Sequence, residues 1–328
     1  MIERIGVIGG GAWGTALAQV AAADGRETLL WAREPEVVDA INRSHCNSLF
    51  LPGQPLHPAI EATGNLTDLE SCDALLVVTP AQHMRSVLEE LGDCGKPLVL
   101  CSKGIEGKTG ALLHQVAQET CRRSDVMVLS GPTFAHEVAA GLPTALTLAA
   151  GRLDSAEQVR RRLARPEFRL YLSDDLAGAE VGGAVKNVLA IGCGVVEGRR
   201  LGQNARAALI ARGFAEMTRF GLAFGARRET LAGLCGLGDL VLTCSSTSSR
   251  NFSLGKGIGE GLSAAELMAE RRTVAEGAFT APVLHRLANE NGIDMPIVAA
   301  VNALLSGEQD VDQVLEALLS RPPRAELH

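Results

Sequence analysis

Near the start of the chain, Ile5-Gly6-Val7-Ile8 is an unbroken apolar run with no polar face, the pattern of a strand buried on both sides. It leads into Gly9-Gly10-Gly11-Ala12-Trp13-Gly14, after which Thr15-Ala16-Leu17-Ala18 reads as a helix. Further apolar runs predict strands at Thr28–Ala32, Asp73–Thr79, Pro97–Ser102, Val126–Leu129, Thr144–Leu148 and Phe168–Leu172. Helices are predicted at Glu36–Asn42 and Met84–Leu91, and a proline-rich link at Phe50–Gly53 and onward through Pro55 and Pro58. Strands alternating with helices imply a parallel, doubly wound sheet. From about Gly178 the alternation gives way to helical periodicity, and the first of these helices, about Gly178–Val196, links the two parts. The expected fold is therefore α/β: an N-terminal Rossmann-like, doubly wound, mainly parallel sheet over 1–178 and an all-helical C-terminal domain over 179–328. Pro322-Pro323 should end the last helix before a polar tail.

The strand, glycine turn and helix at the N-terminus form G-x-G-x-x-G in the context that gives the pattern meaning. Gly9 permits a tight turn, Gly11 lets a pyrophosphate approach the backbone, and Gly14 lets helix and strand pack closely. Glycine clusters also serve ordinary strand-to-helix turns, but the placement favours a dinucleotide. At the end of the next apolar run, where an acidic residue would bind a ribose 2′-OH, the chain has Arg33. A guanidinium there suits a 2′-phosphate, so NADPH should bind at least as well as NADH. Glu34 beside it reverses that preference if it is the residue that turns to the ribose.

Composition narrows the classes. The 328 residues suffice for two cores, and an apolar content of 46% with 36 glycines suits a compact protein rich in tight turns. A net charge of −7 and only 3% aromatic residues leave no basic, aromatic-studded face for nucleic acid. The one basic run, Arg160-Arg161-Arg162 with Arg165, reads as a solvated helix face. The eight cysteines show neither C-x-x-C pairs nor zinc spacing, so no metal is expected, and several lie in apolar runs as small core residues of a reducing compartment. The start of the chain lacks a signal-peptide pattern, and Glu180 and Lys186 interrupt the best candidate membrane span. A cytoplasmic location is expected.

Ligands of a doubly wound sheet sit beyond the carboxyl ends of its strands, which directs attention to polar residues just after apolar runs. Lys103 follows one such run, with Gly104 beside it; Gly131-Pro132-Thr133-Phe134-Ala135 follows another. Taken alone, these fit an exposed loop lysine and ordinary turn chemistry equally well. Lys186 interrupts a small, apolar helix. It could snorkel to solvent or, facing a cleft, exchange a proton with a substrate oxygen while Asn187 fixes a neighbouring group. Gly236-Leu237-Gly238-Asp239 is a turn with one carboxylate. The polar run Thr243–Asn251, ending in Arg250-Asn251, suits a phosphate or a flexible serine-rich loop.

Together these segments resemble the NAD(P)-dependent glycerol-3-phosphate dehydrogenase family in its bacterial form. The resemblance spans essentially the whole chain: Gly9–Ala16, Phe50–Gly53, Ser102–Ile105, Ser130–Ala135, Ala184–Val188, Gly236–Leu240 and Thr247–Asn251. It implies reversible reduction of dihydroxyacetone phosphate to sn-glycerol 3-phosphate, the precursor of glycerophospholipids, with NADPH or NADH. It implies Lys186 as proton donor or acceptor, with Lys103, Gly131, Thr133, Asp239, Ser249, Arg250 and Asn251 around the substrate. Ala12, Trp13, Arg33, Glu34, Phe50, Lys103, Ala135, Arg250, Val274 and Glu276 fall where the family touches the cofactor, beside the glycines at 9, 11 and 14. Ala12 stands where the family often has serine, Phe50 where tyrosine is common, and Glu34 where a second basic residue often follows. The partner expected is a phosphorylated triose, with a homodimer left open, and neither nucleic acid nor a membrane span is called for. Two rivals remain: a two-domain dehydrogenase of the 6-phosphogluconate or 3-hydroxyacid type, and a nucleotide-sensing regulator that performs no chemistry.

Overall fold

The computed structural model describes residues 2–269 and 275–322. It opens with β1 (Ile5–Ile8), α1 (Ala12–Ala22), β2 (Thr28–Trp31) and α2 (Pro35–Ser44), then a small antiparallel hairpin, β3 (Cys46–Asn47) with β4 (Leu51–Pro55), and β5 (Ile60–Thr63). Next come β6 (Ala74–Val77), α3 (Met84–Leu91), β7 (Leu98–Leu100), α4 (Leu113–Thr120) and β8 (Val126–Ser130). The α/β half ends with α5 (Ala135–Ala139), β9 (Thr144–Ala150), α6 (Leu153–Leu163) and β10 (Phe168–Ser173).

The main sheet has the order β10-β9-β8-β7-β6-β1-β2-β5. The six strands from β5 to β8 are parallel and follow the order of a dinucleotide-binding sheet, whose direction of winding reverses between β1 and β6. β9 pairs antiparallel with β8, and β10 runs parallel to β9, so the expected mainly parallel sheet carries a reversed edge. Two elements differ from the sequence reading. The proline-rich link contains the hairpin and is followed by β5, which extends the sheet beside β2 although Ile60-Glu61-Ala62-Thr63 holds few strong β-formers.

The arginine cluster also differs from expectation. Arg160 and Arg161 pair with Glu157 at the surface, but Arg162 is buried and donates to Ala21 O (2.9 Å) and Glu3 O (3.1 Å), while Arg165 pairs with Asp24. Arg162 thus serves a carbonyl in the last turn of α1, where a cation complements the helix dipole, and a second one just before β1, instead of facing solvent.

The helical half begins with α7 (Leu176–Gly198) and α8 (Gln203–Ala223), followed by α9 (Arg228–Leu231), a π-helical turn at Leu234–Gly238, and α10 (Asp239–Thr243). α11 (Arg250–Gly259), α12 (Ala264–Ala269), α13 (Glu276–Glu290), α14 (Pro296–Ser306) and α15 (Val311–Leu319) complete it. α7 is long and apolar enough to cross a membrane, yet its apolar window is wholly buried in the fold. Asp175 caps its start, accepting from Gly178 N at 2.8 Å and from Arg227 N at 2.8 Å.

Glycine explains how α7 and α11 lie so close. A Cβ placed on Gly194 would lie 2.1 Å from Phe252 O, and one on Gly255 would lie 1.9 Å from Ile191 O. Gly198 and Gly259 meet the opposite backbone in the same way. The close approach fixes the first turn of α11 beside Lys186 and Asn187. Gly255→Ala should therefore destabilise the protein by about 2–3 kcal/mol in urea unfolding, through overpacking. Gly151→Ala, whose Cβ would meet nothing within 4 Å, should stay within about 0.5 kcal/mol.

Candidate active site

At the carboxyl end of β1, Gly9 N donates to Trp31 O (3.0 Å), drawing the glycine turn onto β2. A Cβ on Gly14 would sit 1.9 Å from Gly9 O, so the third glycine is required by the close approach of α1 to the turn. Gly11 faces open space and caps α1 without a side-chain hydrogen bond, leaving first-turn N–H groups for an anion. Trp13 Nε1, buried beside them, has no protein acceptor. An open cradle at Gly11, a helix start without a side-chain cap and a donor without a partner together fit a dinucleotide pyrophosphate and its neighbouring groups.

The sequence reading missed Asn47. This fully buried side chain donates to Gly10 O (2.8 Å) and Thr15 Oγ1 (2.8 Å) and accepts from Phe50 N (3.1 Å). It ties the glycine turn to the hairpin that carries Phe50. Ala12, Trp13, Phe50 and Ala135 all pack half-buried against the core of this half. Arg33 extends into solvent, its side chain 79% exposed, and pairs with Glu34 at 3.1 Å.

The chemical centre lies where the β7 and β8 ends meet α7. Asp239, the first residue of α10, is 0% exposed and receives two amines. Lys186 Nζ donates to its Oδ1 at 2.6 Å, and Lys103 Nζ to its Oδ2 at 2.7 Å. Lys103 also donates to Gly131 O (3.1 Å), and Lys186 to Thr243 Oγ1 (2.7 Å). Thr243 in turn donates to Asp239 Oδ1 at 3.3 Å. The sequence reading took Thr243 only as the start of a polar run and not as a partner of Lys186, although it lies four residues after Asp239, on the same face if a helix follows the turn.

Lys186 does not snorkel: it is buried within the helical core, only 5% exposed. Burial lowers its pKa to about 8, with repulsion from Lys103 adding to the shift, while the Asp239 carboxylate holds it up. Such an amine changes protonation near neutral pH, as proton exchange with a substrate requires.

Around this pair, Ser249 caps α11 through Phe252 N (3.2 Å), which engages its hydroxyl in the helix start. Arg250 and Asn251 occupy the first turn of α11, where backbone N–H groups and the helix dipole favour an anion. Asn251 Nδ2 donates to Asn187 Oδ1 (3.0 Å), and Asn251 Oδ1 accepts from Gly277 N (2.9 Å). Much of the Asn251 amide is thus devoted to linking α7, α11 and α13. Thr133 Oγ1 turns back to Gly131 O at 3.4 Å. Glu276, the first residue of α13, accepts from the Ala81 backbone; burial raises its pKa to about 6 against the pull of Arg250 and Lys103. Lys103, Gly131, Lys186 and Asp239 are brought into one hydrogen-bonded cluster, Asn251 bonds to Asn187, the chain neighbour of Lys186, Arg33 and Glu34 stand apart at the β2 end, and Val274 lies outside the described residues.

Two family models match the chain: the NAD-dependent glycerol-3-phosphate dehydrogenase N-terminus over residues 4–156 and the C-terminus of the same family over 175–316. The chain is 64% identical to glycerol-3-phosphate dehydrogenase [NAD(P)+] of Erythrobacter litoralis, over 99% of this chain and 98% of that protein. It is 63% identical to the enzyme of the same name from Novosphingobium aromaticivorans, over 99% of each. Among solved structures, glycerol-3-phosphate dehydrogenase of Coxiella burnetii superposes with a TM-score of 0.93 at 38% identity, covering 98% of this chain and 99% of that one.

The buried cluster predicts a specific weakness. Asp239→Asn would leave two ammonium groups facing each other without a counter-charge. The variant should lose about 3–5 kcal/mol of stability in urea unfolding if both lysines stay charged, and less as pH rises and Lys186 sheds its proton.

Proposed function

The chain belongs to the NAD-dependent glycerol-3-phosphate dehydrogenase family, and on that footing we propose how its own residues carry the family's reaction. The protein is an oxidoreductase that interconverts dihydroxyacetone phosphate and sn-glycerol 3-phosphate with NAD(P)H or NAD(P)+, supplying glycerol 3-phosphate for glycerophospholipid synthesis. The observation that carries the residue assignment is the pair of lysines, one from each half of the fold, on the single buried carboxylate of Asp239.

The nicotinamide, when bound, donates or accepts the hydride at the substrate's C2. Lys186 gives its proton to the C2 oxygen in reduction and takes one back in oxidation. Lys103 adds positive charge where the oxyanion develops, in a site largely closed to water, where such charge counts most. Asp239 aims both amines and favours the charged form of Lys186 until substrate arrives, and Thr243 fixes the orientation of Lys186. Arg250 and the first turn of α11, with Ser249 and Asn251 shaping it, hold the remote phosphate; Gly131 and Thr133 line the side next to Lys103. Binding energy at the phosphate then aligns the reacting carbon.

On the cofactor side, Gly9, Gly11, Ala12, Trp13 and Gly14 receive the pyrophosphate. Phe50, Lys103, Ala135, Arg250, Val274 and Glu276 complete that site, and Arg33 meets a 2′-phosphate. In this reading cofactor binding falls mainly in 1–178 and substrate binding mainly in 179–328, with Lys103, Gly131 and Thr133 reaching across to the substrate and Arg250, Val274 and Glu276 to the cofactor. A cytoplasmic protein acting as a monomer or homodimer fits this reading. It is supported by the burial of α7 and by eight free cysteines.

The decisive assay follows coenzyme oxidation with dihydroxyacetone phosphate and with unphosphorylated dihydroxyacetone. Only the phosphorylated ketone should be turned over efficiently. Reduction needs protonated Lys186, so kcat/KM for the ketone should fall as pH rises through about 8, while oxidation of glycerol 3-phosphate should rise through the same value. Lys186→Arg, which neither releases its proton nor takes one up, should lose the reaction in both directions at every accessible pH. Turnover of both ketones alike, or full oxidative activity in the arginine variant, would overturn the assignment.

Glu34 sets a second expectation. It competes with a 2′-phosphate for Arg33, so Glu34→Ala should raise the NADPH-to-NADH ratio of kcat/KM by about 3- to 10-fold, on the order of one ordinary net hydrogen bond at this exposed position. An unchanged ratio places the 2′-phosphate elsewhere.

A further inference from the structure

Lys103 sits on a segment with little regular structure, between the end of β7 at Leu100 and the start of α4 at Leu113. Within this stretch an isolated bridge joins Ile105 to Leu112, and Glu106 N donates to Ala111 O at 3.0 Å. Those bonds shape the loop internally but do not fix it to the sheet. The shortest side-chain hydrogen bonds from outside the loop to residues 105–107 come from one stretch after β6, while α13 adds a longer bond from Arg286 Nη2 to Gly107 O at 3.4 Å and Ile105 packs into the helical core.

In that stretch, the 3₁₀ turn Ala81–His83, the Gln82 side chain borders solvent yet makes two bonds to the loop backbone. Its Nε2 donates to Ile105 O at 2.8 Å, and its Oε1 accepts from Gly107 N at 2.8 Å. The amide thus substitutes for the peptide unit of a neighbouring strand, matching a donor and an acceptor two residues apart. Between those two anchor points, Glu106 is buried and held in a fork by Arg85, with Nε to Oε1 at 2.7 Å and Nη2 to Oε2 at 2.9 Å. On the other side of Gln82, a Cβ on Gly104 would lie 2.7 Å from Ala81 Cβ, so the residue following Lys103 rests directly on this turn.

We infer that Gln82 and Arg85 are positioning residues for Lys103. By gripping residues 105 to 107 they set the height of the preceding lysine, so that Nζ stands between Asp239 and Gly131 O. Neither side chain touches substrate in this account; each acts through Lys103. The inference rests on the reading of Lys103 as a substrate-binding cation. A shift of the order of 1 Å in such a group can cost about 100-fold in rate, so a clamp of this kind bears directly on catalysis.

A double-mutant cycle tests it on the full-length protein. Gln82→Ala, Lys103→Ala and the double variant are compared with wild type in kcat/KM for dihydroxyacetone phosphate. Affinity for glycerol 3-phosphate is measured by calorimetry in parallel, which keeps the cycle readable where turnover is very slow. Gln82→Ala should lower kcat/KM and affinity for glycerol 3-phosphate together by about 10-fold or more in the wild-type background. In the Lys103→Ala background the same substitution should change either quantity by less than about twofold, because the group it positions is gone. Arg85→Ala should behave likewise. Equal losses in both backgrounds, or no loss from Gln82→Ala in the wild-type background, would overturn the clamp while leaving the Lys103 assignment intact. Unimpaired Lys103→Ala would instead overturn that assignment and the clamp with it.

Discussion

One buried carboxylate governs the arrangement of this molecule. Asp239 has no access to water, and an isolated charge there would be costly; two ammonium groups, Lys103 from the sheet side and Lys186 from α7, neutralise it. Because the lysines come from separate halves of the fold, the ionic contact also fixes how those halves meet. The same contact leaves a net positive centre of two amines for one carboxylate. In the proposed assignment a ketone oxygen gaining negative charge would complete the balance, which favours the charge distribution of the transition state.

Such a centre can be held only if the backbone around it is close and stiff, which accounts for the small residues of α7. Gly182 lies against the π-helical turn, where a Cβ would sit 2.3 Å from Cys235 O, and that turn leads directly into Asp239. Further along, Gly194 and Gly198 admit α11 to backbone contact, which brings Asn251 to Asn187, the residue after Lys186. The glycines of α7 therefore act twice, at the carboxylate and at the proposed phosphate end. Helix propensity is sacrificed for proximity at both places.

Much of this was legible in the chain itself. The fully apolar strands, the glycine turn at 9–14 and the shift to helical periodicity near 178 are local signals, and their order restricts the fold to a doubly wound sheet followed by helices. What escaped depended on long-range pairing. β5 holds few strong β-formers and joins the sheet because β2 offers it an edge; the hairpin around Asn47 is masked by its prolines. The reversal of β9 leaves no trace in a buried apolar run. In the site, Lys186 stood out because a lysine interrupts an apolar helix. Thr243, Asn47 and Gln82 carry no such signature: their roles come from partners 57, 37 and 23 residues away in sequence. Arg162 misled for the converse reason, since a cluster of arginines gives no sign of which member turns inward.

The most direct test of the central claim is a structure of the protein with oxidised coenzyme and glycerol 3-phosphate bound together. The C2 oxygen should lie within about 3 Å of Lys186 Nζ, with Lys103 alongside and the phosphate at the first turn of α11 near Arg250. A substrate seated away from both amines, with Lys186 still sealed between Asp239 and Thr243, would contradict the account.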